Sequence, residues 1–143
     1  MLMKYKYSLE HNLKGYVEFT LRHYLLRQRE LDEYKDDMLP SYTSKLDGIG
    51  GHGGKTSDIT ADTAMRRMTD TYIQRAELNC NAVKVALQGI DKTDASLIGM
   101  VYWNGTHTVE GAAQIVHVGK STAYNRINAI LYKIALELGE INI

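Results

Sequence analysis

The spacing of apolar side chains constrains this chain more than any other feature. Leu9, Leu13, Val17, Leu21, Tyr24, Leu31 and Met38 advance mostly by three or four residues, with Gln28 filling one step. Such spacing lays side chains on one face of a helix, whereas a half-buried strand needs alternation by two. The chain holds a single Pro, and segments alternating Val, Thr and Ile with polar residues are scarce. An all-α fold is therefore expected. The first helix is expected over 8–38, with Ser8 as its N-cap. Pro40 should stop it, because a residue preceding Pro avoids the α region. At about 1.5 Å per residue such a helix is on the order of 45 Å long. Its opposite face carries Arg22, Arg27, Arg29, Glu30, Glu33 and Asp37, which reads as a solvated face.

A second stripe, Ala61, Met65, Met68, Tyr72, Ala76, Cys80, Val83, Leu87 and Ile90, predicts a long helix over 58–90. Asp58 or Thr60 can cap it, and Gly89 and Asp91 mark its end. Two helices of similar length, each with one apolar face, are expected to pair as an antiparallel hairpin. So narrow a core also suggests burial against a second copy, a homodimer. Residues 1–91 are thus expected to form a helical hairpin serving assembly or polymerase contact.

Between the helices, residues 41–57 form a Gly-rich connector containing Gly48-Ile49-Gly50-Gly51-His52-Gly53-Gly54-Lys55-Thr56. It ends as a phosphate-binding loop ends. That loop needs Gly five residues before the Gly-Lys-Thr triplet, and position 49 is Ile. The residues before it, Pro40 to Asp47, read as turn and coil rather than buried strand. A flexible connection is the better reading. A nucleotide hydrolase using Lys55 is the weakest of the functional alternatives.

The 143 residues suffice for one or two small domains, and 17 basic groups balance 17 acidic ones. Bulk charge therefore announces no nucleic-acid partner. The lone Cys80 excludes an intramolecular disulfide and fits a reducing compartment. It falls on the apolar stripe, so a core position is expected, not a nucleophile. No apolar run is long enough to span a membrane, and MLMKYKYSLE lacks the apolar core of a signal peptide. A soluble, cytoplasmic protein is expected. His11, His23, His52, His107 and His117 have no mutual spacing that makes a metal site, and no cofactor is indicated.

Residues 92–143 look different. Three shorter helices are expected, near 93–103, 109–116 and 120–138. Ala112 to Ile127 (AAQIVHVGKSTAYNRI) has the pattern of a helix-turn-helix. Ala113 is small where two helices cross. His117 occupies the turn position where φ is usually positive, a conformation His tolerates. Val118 plugs the corner. Ala123, Ile127, Ile130, Leu131 and Ile134 face the core. Lys120, Ser121, Tyr124, Asn125 and Asn128 then point outward, and such side chains hydrogen-bond to base edges or phosphates. Arg126, Lys133 and Thr122 are expected to position the duplex backbone. From Gly111 to Leu136 the chain has Lys120, Arg126 and Lys133 and no acidic residue, a local basic surface inside a neutral chain.

The preceding stretch, Asp94 to Thr108 (DASLIGMVYWNGTHT), resembles the supporting helix of the promoter-reading domain, region 4, of bacterial sigma factors. There an apolar helix ends in an aromatic pair, here Tyr102-Trp103, before a short turn and a Thr, here Thr108. The chain as a whole resembles the ArpU/RinA-like family of phage-encoded regulators. The resemblance rests on the N-terminal helix, Leu39-Pro40-Ser41-Tyr42-Thr43, the Gly-rich connector, Ser57-Asp58 opening the second long helix, and the sigma-like C-terminal domain. His117 and Gly119 depart from the pattern. The resemblance implies a transcriptional activator of phage or prophage late genes, so a non-enzymatic protein that binds promoter DNA is expected, with bacterial RNA polymerase as a further candidate partner. The alternative is the DNA-recognition subunit of a phage packaging terminase, which also combines a helix-turn-helix with long helices.

Overall fold

The computed structural model describes residues 8–35 and 56–142, all helix, turn or coil, with no strand among them. The elements are α1 (His11–Arg22), α2 (24–35), α3 (Thr56–Ala86), α4 (Lys92–Ile98, continuing as a π-helical turn Gly99–Trp103), α5 (Val109–Ile115) and α6 (Lys120–Glu137). None is long and apolar enough to cross a membrane. Met38, Leu39–Thr43 and the Gly-rich connector through Lys55 lie outside the described residues.

The single first helix expected over 8–38 is broken at His23, which takes φ −91° and ψ 2°. Two local side-chain contacts accompany the break. The Thr20 hydroxyl donates back to the Tyr16 carbonyl at 2.9 Å, a contact that bends helices. At the Phe19 carbonyl, the His23 amide donates at 3.1 Å and the imidazole Nδ1 lies at 2.8 Å, so the ring carries its proton on Nδ1. The helix also begins later than expected. Glu10, not Ser8, is the N-cap, and its carbonyl accepts from Lys14 at 2.8 Å.

The described residues separate into two compact units, 8–25 with 79–142, and 26–35 with 56–78. Residues 8–25 and 79–91, which the sequence groups with the hairpin, therefore belong to the same unit as the C-terminal helices. In the smaller unit Leu31 and Ala76 are buried, and the Tyr72 hydroxyl donates to Glu30 Oε2 at 2.6 Å. The Arg27 guanidinium lies 6.0 Å from the Tyr72 ring centre. The apolar stripe of α3 is only partly used. Ala76, Cys80 and Val83 are buried, but Met65 and Tyr72 are exposed. The side chains of Ala61 and Met68 lie outside the described residues. The helix ends at Ala86, earlier than expected, and Gly89 turns the chain with φ +78°.

The larger unit has one continuous core. Val17 and Leu21 of α1, Val83 and Ala86 of α3, Leu97 and Ile98 of α4, Ala112 and Ala113 of α5, and the inner face of α6 are all buried. The π-helical turn aims an aromatic pair at α1. Its wider hydrogen bond runs from Asn104 N–H to the Gly99 carbonyl at 2.8 Å. The buried Tyr102 hydroxyl donates to Glu18 Oε2 at 2.9 Å, and the Arg22 guanidinium sits 5.4 Å from the ring centre. Burial, then the neighbouring Glu18 carboxylate, push this phenol far above its ordinary pKa, so it stays a donor. The Trp103 indole N–H donates at 3.1 Å to the Leu21 carbonyl, one of the acceptors that the end of α1 leaves available. Trp103 also stacks on Tyr24, with ring centres 6.3 Å apart. These contacts hold α1 on the C-terminal helices.

Candidate nucleic-acid interface

Local hydrogen bonds shape the ends of α5 and the turn into α6. Thr108 caps α5, its hydroxyl accepting from the Gly111 N–H at 3.1 Å. At the other end His117 has φ +60°. Its N–H donates to the Gln114 carbonyl at 3.3 Å, and the Val118 N–H donates to the Ala113 carbonyl at 3.0 Å. This pair of bonds is a Schellman motif, which satisfies two of the helix's last carbonyls and reverses the chain sharply. Ala112 and Ala113 are buried at the crossing, and Val118 packs against the core. Gly119 is the N-cap of α6 and offers it no side-chain hydrogen bond.

Along α6, Ala123, Ile127, Ile130, Leu131 and Ile134 are buried, and Ala135 joins them. Ser121 and Asn125 lie on the side opposite this core, both exposed. At 100° per residue, Lys120, Tyr124 and Asn128 fall on one flank of that ridge, and Thr122, Arg126 and Lys133 on the other. Lys120, Thr122, Tyr124 and Lys133 are exposed, while Asn128 and Arg126 are half-buried. Lys133 lies thirteen residues beyond Lys120, on the order of 20 Å along the axis.

Carboxylates that the linear charge count omits meet two of the three cations. On one flank, Lys120 Nζ is 3.1 Å from Glu110 Oε1, and the Tyr124 hydroxyl donates to that same oxygen at 3.4 Å. The hydrogen bond to Glu110, then its charge, raise the Lys120 pKa. On the other flank, Arg126 Nη1 lies 3.1 Å from Asp91 Oδ2 and 3.2 Å from Asp94 Oδ1. Asp91 is also the N-cap of α4, its Oδ1 accepting from the Asp94 N–H at 2.8 Å. That bond first, and Arg126 after it, hold the Asp91 carboxyl below its ordinary range. The Arg126 pKa is raised in turn, mainly by its hydrogen bond to Asp94. Lys133 has no salt bridge to a described residue.

The pairing of Glu110, Asp91 and Asp94 with these cations is not evident from the sequence. Asp91 and Asp94 lie 35 and 32 residues from Arg126, a separation at which no sequence pattern pairs charges. Glu110 stands one residue before the acid-free stretch, across the turn from Lys120. Elsewhere, Cys80 is buried with its Sγ 3.9 Å from the Tyr24 carbonyl. Among the described residues no group of three His, Cys, Asp or Glu side chains could hold a metal ion. No protein-family model, curated protein or solved structure matches the chain.

Proposed function

We propose that this chain is a sequence-specific DNA-binding transcription regulator, a phage or prophage activator of late genes, as its resemblance to the ArpU/RinA-like regulators implies. In this reading α5 and α6 are a helix-turn-helix, and α6 lies in the major groove. The observation that carries it is the division of α6. Its back is locked in the core by Ala123, Ile127, Ile130, Leu131 and Ile134, while Ser121, Tyr124 and Asn125 stand exposed on its other side. A helix held rigidly from behind, presenting short polar side chains near its N-terminus, suits reading of base edges.

Asn125 and Ser121 are the base readers, flanked by Lys120, Tyr124 and Asn128. Arg126 braces α6 on α4 through Asp91 and Asp94, so the second flank meets phosphates through Thr122 and Lys133. The remaining long helices serve assembly, as a hairpin or homodimer, or contact with RNA polymerase. The supply of unpaired positive charge is small, so one copy binds weakly and with marked salt dependence.

Fluorescence-anisotropy titration with promoter fragments from the neighbouring late operon tests the reading. Asn125→Ala should lose about 1–3 kcal/mol of discrimination between fragments. Lys133→Ala should weaken all fragments alike and flatten the log–log salt slope by about one. Equal wild-type affinity for every fragment and for unrelated DNA would refute specific regulation.

A further inference from the structure

One carboxylate oxygen, Glu110 Oε1, receives both the Lys120 ammonium and the Tyr124 hydroxyl, at 3.1 and 3.4 Å. A cation and a hydroxyl converging on a single anionic oxygen is also how a protein holds a phosphate oxygen. All three side chains are exposed, so burial does not require the pairing. Glu110 sits on α5, a helix whose crossing with α6 is already set by Ala113 and Val118. Its carboxylate is not needed for that crossing, though it stands in the first turn of α5 where negative charge favours a helix, and it has a large effect on local charge.

We propose that Lys120 and Tyr124 form a subsite for a backbone phosphate oxygen of duplex DNA, and that Glu110 is its built-in competitor. The proposal rests on the DNA-binding reading above and assigns a ligand to one flank of it. A duplex must displace the carboxylate before Lys120 and Tyr124 can engage. The displaced carboxylate then faces the phosphates and repels them. Both effects act on every duplex, because every duplex has the same backbone. Glu110 thus lowers overall affinity and leaves base discrimination to Ser121 and Asn125. An exposed ion pair is weak and screened by salt, so the brake is modest and strongest at low ionic strength.

The test is a titration of wild type, Glu110→Gln, Lys120→Gln and the double variant against the tightest late-operon fragment and an unrelated duplex, from 50 to 200 mM salt. Glu110→Gln should tighten both duplexes about 2–5-fold at the lowest salt. The gain should shrink as salt rises and fall below about twofold in the Lys120→Gln background. Unchanged melting temperature would show that the fold is intact. Inorganic phosphate at matched ionic strength should not displace the duplex. If it does, the subsite belongs to free phosphate and the proposal fails. If wild type binds DNA but Glu110→Gln binds no tighter, or weaker, the competitor role is wrong and the DNA-binding reading survives. If wild type binds neither duplex, both fall together.

Discussion

Tyr102→Phe removes one oxygen atom from the contact that holds α1 to the C-terminal helices. The ring remains, so its burial and the Arg22 guanidinium over its face are retained. What is lost is the 2.9 Å hydrogen bond to Glu18 Oε2. Hydrogen bonds to charged groups contribute about 1.5–3 kcal/mol. Glu18 is only half-buried, so water can reach part of its carboxylate once the phenol is gone. That exposure brings the value to the foot of the range or just below it, and the expected loss is about 1–2 kcal/mol. Urea titration followed by circular dichroism would measure it, with Glu18→Gln and the double variant completing a cycle. The two single losses should not add, because they remove the same bond. A Tyr102→Phe loss below about 0.3 kcal/mol, or strict additivity, would mean that the hydroxyl–carboxylate contact does not hold α1 in place.

Two further outcomes follow from single residues. His117 sits at φ +60°, where a β-branched side chain is strained, so His117→Val should destabilise by at least about 1 kcal/mol, while His117→Gly should stay within about 1 kcal/mol of wild type. Urea midpoints would decide it, and a Val variant as stable as wild type would contradict the turn geometry. Asp91 is a pH-sensitive element among the described residues. Its folded pKa is lowered, so its contribution is present above its unfolded pKa, near 3.9, and is lost as pH falls through the lower folded value. Melts between pH 6 and 2 should show wild type above Asp91→Asn at the upper end and the two converging at the lower. A constant gap across that range would rule the carboxylate out as the source.

Much of the candidate interface is legible in order along the chain because it is built from local rules. Thr108 caps the residues that follow it, the His117 and Val118 N–H groups reverse a helix through bonds to the Gln114 and Ala113 carbonyls, and the core face of α6 repeats at helical spacing. Each depends on residues a few positions apart, so amino-acid type and spacing are enough. The break in the first helix is harder to read. Its side-chain bonds at Thr20 and His23 are local, yet nothing in the apolar stripe interrupts there, and Trp103 meets the freed Leu21 carbonyl from 82 residues away.

Partnership across the fold belonged to the tertiary structure alone. A periodic stripe states that a face is apolar, not what covers it. Hence Val17 and Leu21 are buried in a core shared with α6, while Met65 and Tyr72 on an equally regular stripe stay exposed. Charge behaves the same way. Lys120 and Arg126 read as unopposed cations in sequence because Coulomb attraction depends on distance in space, and Glu110, Asp91 and Asp94 reach them only after the chain has folded.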